Sequence, residues 1–198
     1  MSIAHNNWKA LALQLKTKGM RPIIEQSWTR SSQARIRRDE RRLFRRLDPD
    51  QTAARIDHNA YLVQVAAPHL VALSNSLKPA NNVAYLTDAE GIVLFSAGYE
   101  IWRAVQGLMP GYDWSEKAMG TNGAGTALAS KQPVAVIGPD HYLDDFSEAS
   151  CFGSPIFGPS QLVVGAIDLS LSVSDSQPNH LELVVATADA IQKELLPT

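Results

Sequence analysis

The sequence predicts an α+β protein, a central antiparallel sheet of five to six strands flanked by helices, with a helical extension at its N-terminus. Three observations carry that expectation. Apolar residues recur at helical spacing toward both ends of the chain, short β-prone runs separated by turn residues fill the middle, and charge divides unevenly along the length. Residues 1–46 hold 12 Lys/Arg against 3 acids (+9), whereas residues 47–198 hold 6 against 17 (−11), which together give the net charge of −2. Residues 1–48 therefore read as a basic helical extension and residues 49–198 as an acidic body that includes the C-terminal helix. Attraction between the two would help dock them.

The extension opens on good helix formers over residues 3–16, with Gly19 placed as a C-cap. Pro22 suits a first helical turn, after which Ile24 and Trp28 share a face at i, i+4. Seven arginines stand from Arg35 to Arg46; on a helix Ile36, Leu43, Phe44 and Leu47 would cluster on one side and Arg38, Arg41, Arg42 and Arg45 on the other, an amphipathic pattern. A second helix is expected from the Asp48-Pro49 break to Leu77. Its apolar seam would be Ile56, Ala60, Val63, Ala67, Leu70, Ser74 and Leu77, kinked or split at Pro68.

The period then changes. Residues 82–87 (NVAYLT) and 92–96 (IVLFS), joined by a turn ending in Gly91, read as a β-hairpin. Residues 98–119 lack a clear period and read as a loop or broken helix; Thr121 or Asn122 can cap a helix to about Ser130. Strands are expected over 133–137, 153–157 and 162–171, followed by a helix capped at Asp175 or Ser176. Its seam of Leu181, Val184, Ala188, Ile191 and Leu195 would suit a partner helix.

Composition narrows the function classes. A chain of 198 residues can bury a core without staples. The lone Cys151 excludes an internal disulfide framework, and no CxxC or Cys/His cluster points to structural zinc; the sequence names no cofactor and leaves that question open. The first 20 residues lack an apolar signal core and no run of about 18 apolar residues is present, so a cytoplasmic chain without a membrane role is expected.

Six segments carry a family resemblance: IIEQSWTRS (23–31), LTDAEGIVL (86–94), WSEKAMGTNGAGTAL (114–128), PVAVIGPDHY (133–142), CFGSPIF (151–157) and VVGAIDLSL (163–171). Together they resemble the GAF-type input domains at the N-terminus of sigma-54-dependent transcriptional activators of the acetoin and glycerol catabolism type. The resemblance implies a GAF-like fold and a sensor of a small-molecule effector that passes its signal to an output domain, AAA+ or other. Asp140-His141 departs mildly from the family's EH pair, and Phe152 is bulkier than the usual small residue after the cysteine. No GxxxxGK[ST] or helix-turn-helix follows the sensor, so an excised piece of a longer regulator is expected.

Ligand-binding candidates are Tyr85, Trp114, Thr121, Asn122, His141, Cys151 and Asp168, placed around a cavity between the sheet and its loop-helix cover. Each has a second reading. The helix start at Thr121-Asn122 can hold an anion or merely cap itself. Trp114 can stack on a ligand or plug the core. His141, in a carboxylate-rich loop, can gain basicity or join a metal site, or the loop can simply be solvated. Cys151 can be reactive or buried and inert, and Asp168 can point outward or anchor a pocket.

Catalysis is not expected, since Gly153-Ser154-Pro155 lacks a GxSxG elbow and one cysteine cannot run a thiol relay. The rival class is a nucleic-acid-binding or partner-docking module acting through an Arg35–Arg46 helix. The acidic body and the absence of interleaved aromatics weigh against direct nucleic-acid binding. A homodimer through the helices of residues 52–77 and 181–195 is expected to carry the signal.

Overall fold

The structure is a computed structural model that describes residues 20–39, 44–77 and 81–196. The helix expected over residues 3–16, with its Gly19 cap, lies outside the described residues. Among the described residues seven α-helices and five strands follow in order: α1 (Met20–Gln33), α2 (Pro49–His58), α3 (Ala60–Ser76), β1 (Asn82–Asp88), β2 (Val93–Gly98), α4 (Glu100–Val105), α5 (Glu116–Met119), α6 (Gly123–Ser130), β3 (Val134–Ile137), β4 (Ala149–Phe157), β5 (Val163–Ser172) and α7 (His180–Leu195).

Local chemistry explains most boundaries. Asp48 accepts from the Gln51 N–H at 2.8 Å while the Gln51 side chain accepts from the Asp48 N–H at 3.3 Å, a capping box with Pro49 in the first turn of α2. The expected long second helix divides at Asn59, whose φ is −105°, and not at Pro68. Pro68 sits inside α3 on its exposed side, where the lost backbone bond faces water. The buried face of α3 is Leu62, Ala66, Leu70, Leu73 and Ser74, which shares Leu70 and Ser74 with the expected seam and is otherwise rotated about the helix axis toward the larger side chains that meet the sheet. The final helix starts after Asn179, whose side chain makes no capping bond, with a 3-10 turn over Val173–Asp175 occupying the position expected to start it.

The arginine-rich segment is not the expected amphipathic helix. Among its described residues, α1 ends in turns with Arg35 at φ 61°, and Arg46 makes an isolated β-bridge to Tyr112. The Leu47 N–H donates to Gly111 O and the Asp113 N–H to Arg45 O, so strand-like pairing supplies the backbone bonds a helix would have made. Residues 40–43 lie outside the description.

The sheet order is β2-β1-β5-β4-β3, every neighbouring pair antiparallel. One face carries α3 and α7. There Leu86, Phe152, Ile156, Ile167, Leu169 and Leu171 meet Leu62, Leu70, Leu181, Val184 and Ile191 in one apolar core. All five seam residues of α7 are buried in this core, so the seam expected to meet a partner helix instead meets the chain's own sheet. The opposite face is covered by α1, α4 to α6 and the loops between them, with smaller apolar clusters around Trp114 and around Ile24. Thus α1, read as part of the extension, packs on the body through Ile23 and Ile24 against Ala127, Val134, Val136 and Cys151.

Candidate functional site

Register places a polar row across the loop-covered face. Tyr85 of β1 stands opposite Ser96 of β2 on one side and Asp168 of β5 on the other, and Asp168 stands opposite Gly153 of β4. Residues paired across antiparallel strands share a face, so these side chains emerge under the same cover. Asp168 and Ser170 lie two apart on β5 and therefore project together; Cys151 of β4 pairs with Ser170.

The cover approaches closely because two glycines allow it. A methyl group on Gly123, at the start of α6, would overlap Asp168 Oδ2, and one on Gly153 would overlap the Gly123 carbonyl. Helix α6 therefore rests with its first turn directly on the polar row. Asn122 caps it, accepting from the Gly125 N–H at 2.8 Å, while its amide donates to Gly120 O at 2.8 Å and Trp114 O at 3.1 Å.

A chain of side chains runs beneath this helix start. His141 Nδ1 lies 2.9 Å from Gly138 O, its Nε2 3.3 Å from Cys151 Sγ, Cys151 Sγ 3.2 Å from Ser170 Oγ, and Ser170 Oγ 2.7 Å from Asp168 Oδ1. The carbonyl at Gly138 fixes the proton on Nδ1, so Nε2 accepts from the thiol. Burial pushes the Asp168 carboxyl up to about 8, holds His141 down to about 4, and raises the Cys151 thiol. The Ser170 hydroxyl donates to Asp168 Oδ1, and the Cys151 thiol lies between Ser170 Oγ and His141 Nε2. These contacts link His141, Cys151, Ser170 and Asp168 in one continuous buried polar chain.

Two atoms in this row stay unsatisfied. The Tyr85 hydroxyl and Asp168 Oδ2 are buried and make no hydrogen bond of good geometry, although the two groups stand opposite each other and perturb each other's ionisation. Tyr85 and Asp168 are both fully buried. An orphaned buried polar group costs about 1–3 kcal/mol, so a pair of them facing one cover is a feature that needs a use.

The structure resolves the open readings of the candidates as follows. Tyr85, His141, Cys151 and Asp168 come together, and Asp168 points inward. Trp114 plugs the core beside them, its ring 6.1 Å from Tyr85 and 5.3 Å from Phe146, with its Nε1 donating to Gly107 O at 2.7 Å. His141 is buried against Phe146 with its ring nitrogens on Gly138 O and Cys151 Sγ; burial lowers its basicity, and among the described residues no group of three His, Cys, Asp or Glu could hold a metal. Cys151 is buried with a raised pKa, which removes thiolate reactivity. Thr121 belongs to a separate polar clamp: the Ser27 hydroxyl reaches Glu116 Oε1 at 2.5 Å, Thr121 Oγ1 at 2.8 Å and Thr126 Oγ1 at 3.1 Å, and Arg30 grips Glu116 through two bonds of 2.6 and 2.9 Å. That clamp fastens α1 to α5 and α6.

Sequence reasoning missed Ser170, Ser96 and the whole Ser27–Glu116–Thr126 clamp. The Asp168-x-Ser170 alternation was the available signal for the first. A surface cavity of about 850 Å³ opens beside that clamp, lined in part by Arg30, Glu90, Glu116, Lys117 and Leu128; none of the seven candidates lines it. The arginine segment works on the chain's own surface as well: Arg38 lies 4.3 Å over the Trp28 ring and 3.0 Å from Asp144, and Arg46 lies 5.0 Å over Tyr112.

Comparison with known proteins agrees with this architecture. The family model for the MimR N-terminal domain matches residues 10–194. The chain is 29% identical over 184 residues to the acetoin dehydrogenase operon transcriptional activator AcoR of Bacillus subtilis, covering 89% of this chain and 30% of that protein. It is 31% identical over 174 residues to the propane 2-monooxygenase operon transcriptional activator MimR of Mycolicibacterium smegmatis, covering 85% and 29%. The chain thus spans under a third of these relatives. Among solved structures, the DhaR(N)–DhaL complex of E. coli superposes with a TM-score of 0.82 at 19% identity, over 88% of this chain and 60% of that one.

Proposed function

The chain belongs to the family of MimR N-terminal domains, and we propose from that premise that it is the signal-receiving domain of a cytoplasmic transcriptional activator. Its ligand is a small polar organic molecule taken up between α6 and the loop-covered face of the sheet. The observation that carries this reading is the pair of unsatisfied buried atoms, Tyr85 OH and Asp168 Oδ2, where a ligand hydroxyl or carbonyl would complete hydrogen bonds the free domain leaves unmade. Tyr85, His141, Cys151 and Asp168 would touch it; Trp114 and Asn122 would hold the walls, and Thr121 the clamp behind them. Closure of Gly123 onto Asp168 means that α6 must lift to admit it.

Transmission follows from strand geometry. Asp168 faces the ligand while its neighbours Ile167 and Leu169 face α3 and α7, so a shift of β5 is felt by both helices. Ligand binding would select one packing of those helices over another in proportion to its differential affinity. A homodimer remains part of the proposal, moved to the outer face of α3, a helix without Asp, Glu, Lys or Arg that leaves Tyr61 59% and Val71 41% exposed. The output domain would be supplied by the remainder of a longer activator, and a protein partner, as DhaL is for DhaR in E. coli, is a further route by which signal could enter.

Thermal-shift screening of short alcohols, ketones and hydroxy compounds tests the reading. Compounds that raise the wild-type melting temperature should lose that effect in Asp168→Asn and Tyr85→Phe. Equal shifts in wild type and both variants would place the ligand elsewhere.

A further inference from the structure

The polar row does not stop at Tyr85. On its β2 side Ser96 is buried, and above it sits Arg103 of α4, whose Nη1 donates to Ser96 O at 2.9 Å and reaches Ser96 Oγ at 3.5 Å. Arg103 Nε is buried without a hydrogen-bond partner, and no carboxylate among the described residues pairs with this guanidinium. Three unsatisfied buried groups therefore lie along one line across the sheet: an Arg N–H over β2, a phenol on β1 and a carboxyl oxygen on β5. Neighbouring strands are about 4.8 Å apart, so the two ends of that line are roughly 10 Å apart at the backbone.

A guanidinium N–H in low dielectric is best satisfied by an anionic oxygen. The other end of the row offers no cation, and its carboxyl and phenol suit an uncharged hydroxyl. We propose that Arg103 and Ser96 form the second end of the ligand site and that the ligand is a short hydroxycarboxylate, its carboxylate on Arg103 and its hydroxyl between Tyr85 and Asp168. This rests on the sensory reading above and adds to it a charge preference and a residue that sets it. Burial raises the pKa of the Asp168 carboxyl, which lessens its repulsion of an anion held at the Arg103 end of the row.

The experiment is a calorimetric or thermal-shift comparison of matched pairs of three to six carbons, each hydroxy acid set against the diol of the same skeleton, for instance 3-hydroxybutyrate and 1,3-butanediol. Wild type is expected to bind the acids more tightly by about tenfold or more, the worth of a charge-assisted bond. Arg103→Gln should erase that preference and keep the response to diols, with Arg103→Lys intermediate because it retains charge but loses the planar fork. Equal binding of acids and diols by wild type, or an unchanged preference in Arg103→Gln, overturns the Arg103 inference and leaves the site reading standing. No response of wild type to any member of either series overturns both. Unliganded melting curves of both variants show whether a lost preference comes with a lost fold.

Discussion

Strand β5 shows the two faces of the sheet residue by residue. Ile167, Leu169 and Leu171 enter a continuous apolar core with α3 and α7, while Ala166, Asp168 and Ser170 lie beneath α6 among hydroxyls, a thiol and an imidazole. The first face is satisfied in the free protein. The second keeps unsatisfied hydrogen-bonding atoms and a carboxyl far from its ordinary pKa. One face gives stability and the other holds stability back, as a domain that must respond to a ligand requires.

Substitutions on the first face should have the largest effect. Val184→Asp with Ile191→Asp buries two charges in the α7 core, each costing more than about 4 kcal/mol, so the chain should lose its fold by circular dichroism and not merely change oligomeric state. A folded monomer would show that α7 does not pack as described. On the second face, Gly123→Ala forces a methyl group into Asp168 Oδ2 and Cys151 Cβ, and chemical denaturation should report a loss of about 3 kcal/mol. A neutral result would mean that α6 does not rest on the row.

Smaller effects separate the faces more finely. Asp168 has its folded pKa raised to about 8, so its contribution to stability is present at low pH and is lost as pH rises toward 8. His141, depressed to about 4, contributes in the opposite sense, gaining between pH 4 and its ordinary value near 6.5 and constant above it. The two oppose each other up to about pH 6.5; from there to pH 8 the Asp168 contribution alone should lower stability by about 2 kcal/mol. Denaturation midpoints across that interval should show the decline in wild type and not in Asp168→Asn. The smallest effect has the opposite sign: Tyr85→Phe removes an unsatisfied hydroxyl and should raise stability by about 1 kcal/mol. A destabilised Tyr85→Phe would mean that the hydroxyl is already satisfied.

The same division explains what the sequence made legible. The hairpin of β1 and β2, the strand β5, the cap at Asn122 and the α7 seam follow from period, turn chemistry and side-chain capping, which act over a few residues. The direction of the α7 seam did not follow, because an apolar stripe fits a neighbouring sheet as well as a partner helix. Arg35 to Arg46 has a convincing helical pattern, yet Ile36 and Phe44 are drawn separately onto the body, a long-range effect no local pattern records. Candidate site residues were found through resemblance, but Ser96, Ser170 and Arg103 join them only through strand register and the path of α4.

The most direct test of the account is native mass spectrometry of wild type and Asp168→Asn after incubation with a mixed panel of alcohols, ketones and hydroxy acids of three to six carbons. The account predicts a small-molecule adduct on the wild-type chain that Asp168→Asn loses and that the conservative core variant Leu70→Met retains. An adduct of equal abundance on wild type and Asp168→Asn would contradict it.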